Sequence, residues 1–241
     1  MYPQLTLPPK TVHIWQANLN LQPDQLHGLW KLLSSEEQQR ALRFKFDLHR
    51  NRFIAAKGSL RLLLGQYLGV EPELIGFTTT SHGKPFLTEQ GDNPLYFNAS
   101  DSQDLALFAL SHQELMGVDL EHIQESSDSL AIAQRFFSEA EYTYLLRLPE
   151  AQQQNAFFQI WTLKEAFIKA LGLGLSFPLK DFDVAIENSK VYMKAIRAEN
   201  LQAEDWSLHS FSIDKDFMAA LAIKSFFNKI DFFTFNLPPL L

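Results

Sequence analysis

Apolar positions recur along the chain in two periods. Residues 51–68 place Phe53, Leu60, Leu64 and Tyr67 on one helical face ahead of Gly69, and residues 151–171 carry Ile160, Leu163, Phe167, Ala170 and Leu171 ahead of Gly172 and Gly174. Both stretches predict long amphipathic helices closed by glycine. Shorter helices are predicted from Ser34 to about Phe44, where Ser34-x-x-Glu37 has capping-box spacing, through residues 128–137, and from Ser138, where Glu141 completes a second box. Residues 104–111 (DLALFALS) and 114–123 (ELMGVDLEHI) read as short strands joined at His112-Gln113, hence as an antiparallel pair. Along the second of these, Met116, Val118 and Leu120 share one face while Gly117, Asp119 and Glu121 share the other.

The order of these elements repeats. TVHIW (11–15), a Ser-Glu helix start at Ser35, KGSLRLLLG (57–65), GVEPELIGF (69–77) and DLALFAL (104–110) are echoed by GVDLE (117–121), SEAE (138–141), KEAFIKALG (164–172), GLSFPLKDF (174–182) and DFMAALAI (216–223). Two copies are too few for a solenoid. The pattern predicts an α/β (α+β) fold of two similar halves, residues 1–115 and 116–241, related by a pseudo-twofold axis with a ligand site at their interface.

Composition narrows the chemistry. The chain has 241 residues, 46% of them hydrophobic, which suits one large domain or two small ones sharing a core. Cysteine is absent, so disulfides, thiolate nucleophiles and cysteine zinc sites are excluded, and any metal must be held by oxygen or imidazole. The seven histidines show no ligand spacing, and neither a G-x-S-x-G elbow nor a Walker loop occurs. The opening residues lack the basic and apolar segments of a secretory signal, and no apolar run reaches about eighteen residues, so a cytoplasmic protein without a membrane span is expected.

A net charge of −7 argues against general nucleic-acid binding. The charge is uneven: residues 31–61 hold eight basic against three acidic side chains, and the remainder 13 against 25. That basic region is either a solvated helical face or a seat for a phosphate-rich ligand or an acidic protein.

Asp119 and Glu121 point the same way, roughly 7 Å apart along a strand, an arrangement that is costly unless water or a cation screens it. The long helix supplies a third carboxylate, Glu165, beside Lys164 and Lys169. Glu165 and Lys169 could be no more than an exposed i,i+4 ion pair. Three carboxylates with lysines would equally suit Mg²⁺ over a pyrophosphate.

GVDLE followed some forty residues later by WTLKEAFIKALG (161–172) resembles the paired signature of the 4'-phosphopantetheinyl transferases, of the longer, pseudo-dimeric Sfp-like type. HGKPF (82–86), FNASDS (97–102) and RFFSEAEY (135–142) agree with it, and the resemblance runs from about residue 30 to residue 185. It implies transfer of the phosphopantetheine arm of coenzyme A to a serine of an apo acyl or peptidyl carrier protein, releasing adenosine 3',5'-bisphosphate. By the same resemblance Asp119, Glu121 and Glu165 would hold Mg²⁺, Lys164 and Lys169 would bind phosphate oxygens, and Glu165 or else Glu141 would take the serine proton. Lys84, with Arg40, Arg52 and Ser100, would hold the 3'-phosphate of coenzyme A. A monomer is expected, because both half-sites lie in one chain, and the carrier would dock on the basic helices or near Phe136 and Phe137.

The chain departs from the family at one position. Where the family usually has N-x-S-H-S, Asp101 stands in place of histidine. An aspartate cannot donate to phosphate. Either it turns to solvent or coenzyme A binds more weakly than usual. That leaves two alternatives open: a non-catalytic binder of coenzyme A or of a carrier, and another Mg²⁺-dependent phosphoryl-transfer enzyme using the same carboxylates.

Overall fold

The structure, a computed structural model, describes residues 4–89, 93–124, 128–188, 190–224 and 227–238. The first half runs β1 (Thr11–Asn18), α1 (Pro23–Leu32), α2 (Ser35–Leu42), α3 (Asp47–Leu68), a short hairpin of β2 (Phe77–Thr79) and β3 (Pro85–Leu87), then β4 (Tyr96–Ser102) and β5 (Leu105–Ser111). The second runs β6 (Met116–His122), α4 (Ser129–Phe136), α5 (Glu139–Arg147), α6 (Glu150–Leu171), a hairpin of β7 (Phe182–Glu187) and β8 (Lys190–Ile196), then β9 (Trp206–Ser212) and β10 (Phe217–Lys224). A last strand, β11 (Lys229–Phe235), follows. None of the helices among the described residues is long and apolar enough to cross a membrane.

The helix boundaries follow local chemistry. Both expected capping boxes form, Ser34 with Glu37 and Ser138 with Glu141. The two 22-residue helices α3 and α6 end at Gly69 and Gly172, each with φ of 69°, a left-handed turn that glycine adopts without strain. The helix from Ser34 stops at Leu42, short of Phe44, and α3 begins at Asp47, four residues earlier than the apolar spacing indicated.

The repeat is realised in the sheets. In the first half the order is β1-β5-β4 and in the second β6-β10-β9, antiparallel throughout. One apolar cluster packs α1 and α3 on the first sheet, another packs α4, α5 and α6 on the second, and a third, including Val12, Ile14, Leu107, Val118, Leu120 and Leu221, fills the space between the sheets. The layers are therefore helix, sheet, sheet, helix.

One expectation is corrected. β5 and β6 do not pair: β6 hydrogen-bonds to β10, and the chain crosses from one sheet to the other at residues 112–115. β11 returns to lie parallel to β1 in the first sheet, Thr11 opposite Lys229 through Ala17 opposite Phe235.

Candidate active site

The free edge of β6 faces β4 through side chains. Asn98 Oδ1 accepts from the Val118 amide (2.9 Å), Ser100 Oγ from Leu120 (3.3 Å) and Ser102 Oγ from His122 (3.1 Å). Three polar residues at alternate positions of one strand satisfy three alternate amides of the next, so the N-x-S-x-S run is a polar seam joining the two halves.

On its other face β6 lies against α6. A Cβ at Gly117 would stand 2.1 Å from the Ala166 carbonyl oxygen and 2.4 Å from the Ala170 nitrogen. Only a glycine admits the helix this closely. Beside it on β10, Ala220 and Ala222 are opposite Asp119 and Gly117, and they too are small. This close approach sets Glu165 and Lys169 of α6 next to the carboxylates of β6.

Asp119 is 3% exposed. Its Oδ1 accepts from Lys169 Nζ at 2.6 Å and from the Ser100 hydroxyl at 3.0 Å, and Lys169 also donates to Ser100 Oγ at 2.7 Å. Its Oδ2 is buried and has no hydrogen-bond partner among the described residues. Lys169 thus pairs with Asp119 across the helix–strand contact instead of forming the i,i+4 pair with Glu165. Burial, then the charge of Asp119, pushes the Glu121 carboxyl up to about 7, with Lys169 opposing. The same two causes raise Glu165.

The donor set is all oxygen, its charges reinforce one another, and one buried carboxylate oxygen lacks a partner, so these residues fit a hard divalent cation. Among the described residues no three side chains are already gathered in a ligating arrangement, and the Lys169 ammonium neutralises Asp119.

Glu141 and Lys164 do not join this face. Glu141 caps α5 through the Ser138 amide, accepts from the Val184 amide at 2.8 Å and pairs with Lys164 Nζ at 2.8 Å. Lys164 is fully buried, donates to the Leu179 and Phe182 carbonyls and lies 4.0 Å from the centre of the Phe182 ring. Burial raises Glu141 and lowers Lys164, against the attraction between them. In this structure the pair forms an internal brace under α6, apart from the Asp119 face.

Arg40, Arg52 and Ser100 do come together, on a cavity of about 450 Å³ between α3 and β4 that Phe53, Lys57 and Asp101 also line. Arg52 is tied to Asp104 at 2.8 Å and to Gln103 at 3.2 Å. Lys84 is the exception among the residues expected at the 3'-phosphate. It lines a separate cavity of about 200 Å³ with Tyr96, Glu114 and Leu171, and its ammonium donates to the carbonyls of Met116 (3.1 Å) and Ala170 (2.9 Å). Burial lowers it to about 8. Lys84 therefore latches the β2–β3 hairpin to the end of α6. Sequence reasoning placed Lys57 only within the basic region of residues 31–61, and it missed the seam, although its alternating polar spacing was visible.

Comparison with known proteins bears on the whole chain. A family model described as the 4'-phosphopantetheinyl transferase superfamily matches residues 115–222, and one described as 4'-phosphopantetheinyl transferase, N-terminal, matches residues 17–113. The 4'-phosphopantetheinyl transferase HetI of Nostoc sp. is 41% identical over 225 residues, 93% of this chain and 92% of its own. The 4'-phosphopantetheinyl transferase Sfp of Bacillus subtilis is 31% identical over 166 residues, 69% of this chain and 72% of its own. Among solved structures, Helicobacter pylori holo-(acyl-carrier-protein) synthase in complex with coenzyme A is 20% identical and covers 46% of this chain and 99% of its own, with a TM-score of 0.37. Two matched regions that abut between β5 and β6, and a relative similar over almost its full length, carry the conclusion that the chain belongs to the 4'-phosphopantetheinyl transferase superfamily.

Proposed function

We propose that this protein transfers the 4'-phosphopantetheine arm of coenzyme A to a serine hydroxyl of an apo acyl or peptidyl carrier protein, leaving adenosine 3',5'-bisphosphate. The observation that carries the reading is the buried, half-satisfied Asp119 flanked by Glu121, Glu165 and Lys169, adjoining a cation-lined cavity through Ser100. In this reading Asp119, Glu121 and Glu165 hold Mg²⁺, which when bound supplies charge neutralisation at the pyrophosphate.

The chain's own groups do the rest. Lys169, released from Asp119, binds a phosphate oxygen, and its side chain keeps 30% of its exposure for that purpose. Glu165 accepts the proton as the serine oxygen forms its bond to phosphorus and the bond to the departing adenosine bisphosphate breaks. The cationic cavity holds the ribose phosphate end. The reading includes a protein acting as a monomer in the cytoplasm, with halves dividing at residues 115 and 116 apart from the returning β11.

The test is the intact mass of an apo carrier protein incubated with the protein, coenzyme A and Mg²⁺. A gain of one phosphopantetheine, abolished by EDTA and by Glu165→Gln, is expected. Coenzyme A binding without a mass gain on any carrier would overturn the transferase reading in favour of a binding protein. Turnover of coenzyme A without a carrier would point to a different phosphoryl-transfer enzyme.

A further inference from the structure

Residues 42–49, the turn joining α2 to α3 with its flanking helix ends, are exposed without interruption. Among them stand Leu42 (66% exposed), Phe44 (36%), Phe46 (59%) and Leu48 (54%). Single exposed leucines are ordinary, but four large apolar side chains within seven positions concentrate apolar surface at one place. Phe46 is also the N-cap of α3 and gives that helix no side-chain hydrogen bond, at a position where Ser, Thr, Asp or Asn would be favoured. A residue that suits neither the cap nor the water around it breaks two local rules at once, as functional positions do.

Cations alternate with these side chains. Arg43 and Lys45 lie between them in sequence, Lys45 stands over the Phe46 ring at 5.4 Å, and Arg40 stands over Phe53, which packs on Phe44 with ring centres 5.5 Å apart. Arg43 and Lys45 have no carboxylate within ion-pair distance among the described residues, and Asp47, the one acid of the turn, is taken up by Arg50 at 3.1 Å. Phe44 and His49 line the cavity between α3 and β4, whereas Leu42, Phe46 and Leu48 do not. An apolar tip collared by basic side chains is the chemistry of insertion into an anionic lipid surface. Phe and Leu enter the boundary between headgroups and acyl chains, while Arg and Lys stay with the phosphates.

The net charge of −7 does not oppose this. Screening confines charge interactions to about 8 Å at physiological ionic strength, so the cations of the turn act on the headgroups they touch while the acidic remainder is held off. The imbalance fixes orientation instead, since residues 31–61 carry a basic excess and the rest of the chain an acidic one. We propose that the turn between α2 and α3 is a membrane-docking loop that inserts Leu42, Phe46 and Leu48 into an anionic bilayer surface and holds the protein there peripherally. An acidic protein would meet the same charges only by offering a cleft to a projecting turn, whereas lipid accommodates it without a matched shape. The proposal does not depend on the coenzyme A reading.

The full chain is sedimented with vesicles of phosphatidylcholine, with and without phosphatidylglycerol as the anionic component, for the parent and for Phe46→Ser, Arg43→Gln and Lys45→Gln. The parent should partition onto the anionic vesicles and far less onto the neutral ones, and added salt should weaken it. Phe46→Ser installs a favoured cap, so its urea midpoint should be no lower than the parent's, while its partition should fall about tenfold or more. Arg43→Gln and Lys45→Gln should each cost about fivefold on anionic vesicles and little on neutral ones. Modification of a soluble carrier by Phe46→Ser should match the parent. A parent that binds neither vesicle, or a Phe46→Ser protein that partitions as the parent does, would overturn the proposal. A parent that ignores vesicles, with a raised KM for the carrier in Phe46→Ser, would assign the turn to carrier docking instead. A parent that binds anionic vesicles but modifies no carrier would defeat the transferase reading and leave the docking loop supported.

Discussion

Glu121 is where the unloaded site should strain the fold most measurably. Its carboxyl is pushed from an ordinary 4.5 to about 7 by burial and by Asp119. In the unfolded chain it ionises near 4.5, so between 4.5 and about 7 the folded state keeps a proton that the unfolded state has lost, and stability falls as pH rises through that window. The penalty is absent below 4.5 and complete above about 7. At about 1.36 kcal/mol per pKa unit the ceiling is about 3.4 kcal/mol, and partial access to water screens it to about 1–2 kcal/mol. Glu121→Gln keeps the shape and removes the ionisation. In EDTA the variant should unfold at higher urea than the parent at pH 8 and match it at pH 4, with the same denaturant slope. Added Mg²⁺ should reverse the order at pH 8, because it stabilises the protein that binds it. A variant no more stable than the parent at pH 8 in EDTA would refute the claim that crowded carboxylates destabilise the unloaded protein.

Two further substitutions test the frame around the site. Gly117→Ala should cost about 3 kcal/mol in urea unfolding and depress activity, because the backbone of α6 must retreat from a Cβ placed 2.1 Å from a carbonyl oxygen; an unchanged midpoint would show that the helix has room to move. Glu141→Gln should cost about 3–5 kcal/mol by leaving Lys164 buried without its partner, and adding Lys164→Met should recover most of that loss with turnover retained. A well-folded double variant that fails to turn over would return Glu141 to the chemistry.

Much of this was legible because it is local. Capping boxes, glycine stops and the alternation that puts Asp119 and Glu121 on one face are set by residues within a few positions of one another, and they stand as read. What was hidden depends on partners far away in the chain. Nothing near DLALFALS and MGVDLEH discloses that adjacent strands belong to different sheets, since either pairing satisfies the same alternation. Lys164 and Lys169 look alike on a helical wheel margin, yet one is fully buried against carbonyls from residues 179 and 182 and the other bridges to Asp119. The GKP stretch supplied the right residue type for phosphate, but the ammonium of Lys84 is taken up by two backbone oxygens.

The return of β11 to β1 has a consequence for how the chain is made. Thr11 leaves the ribosome about two hundred residues ahead of its strand partner, Lys229. Until residues 229–235 have been synthesised, β1 carries an unpaired outer edge bearing His13 and Trp15, the kind of edge that recruits strands from other molecules. The second half, whose β6, β9 and β10 come from one contiguous stretch, can complete its sheet earlier. The first sheet is therefore closed only after the strands of the second have been made.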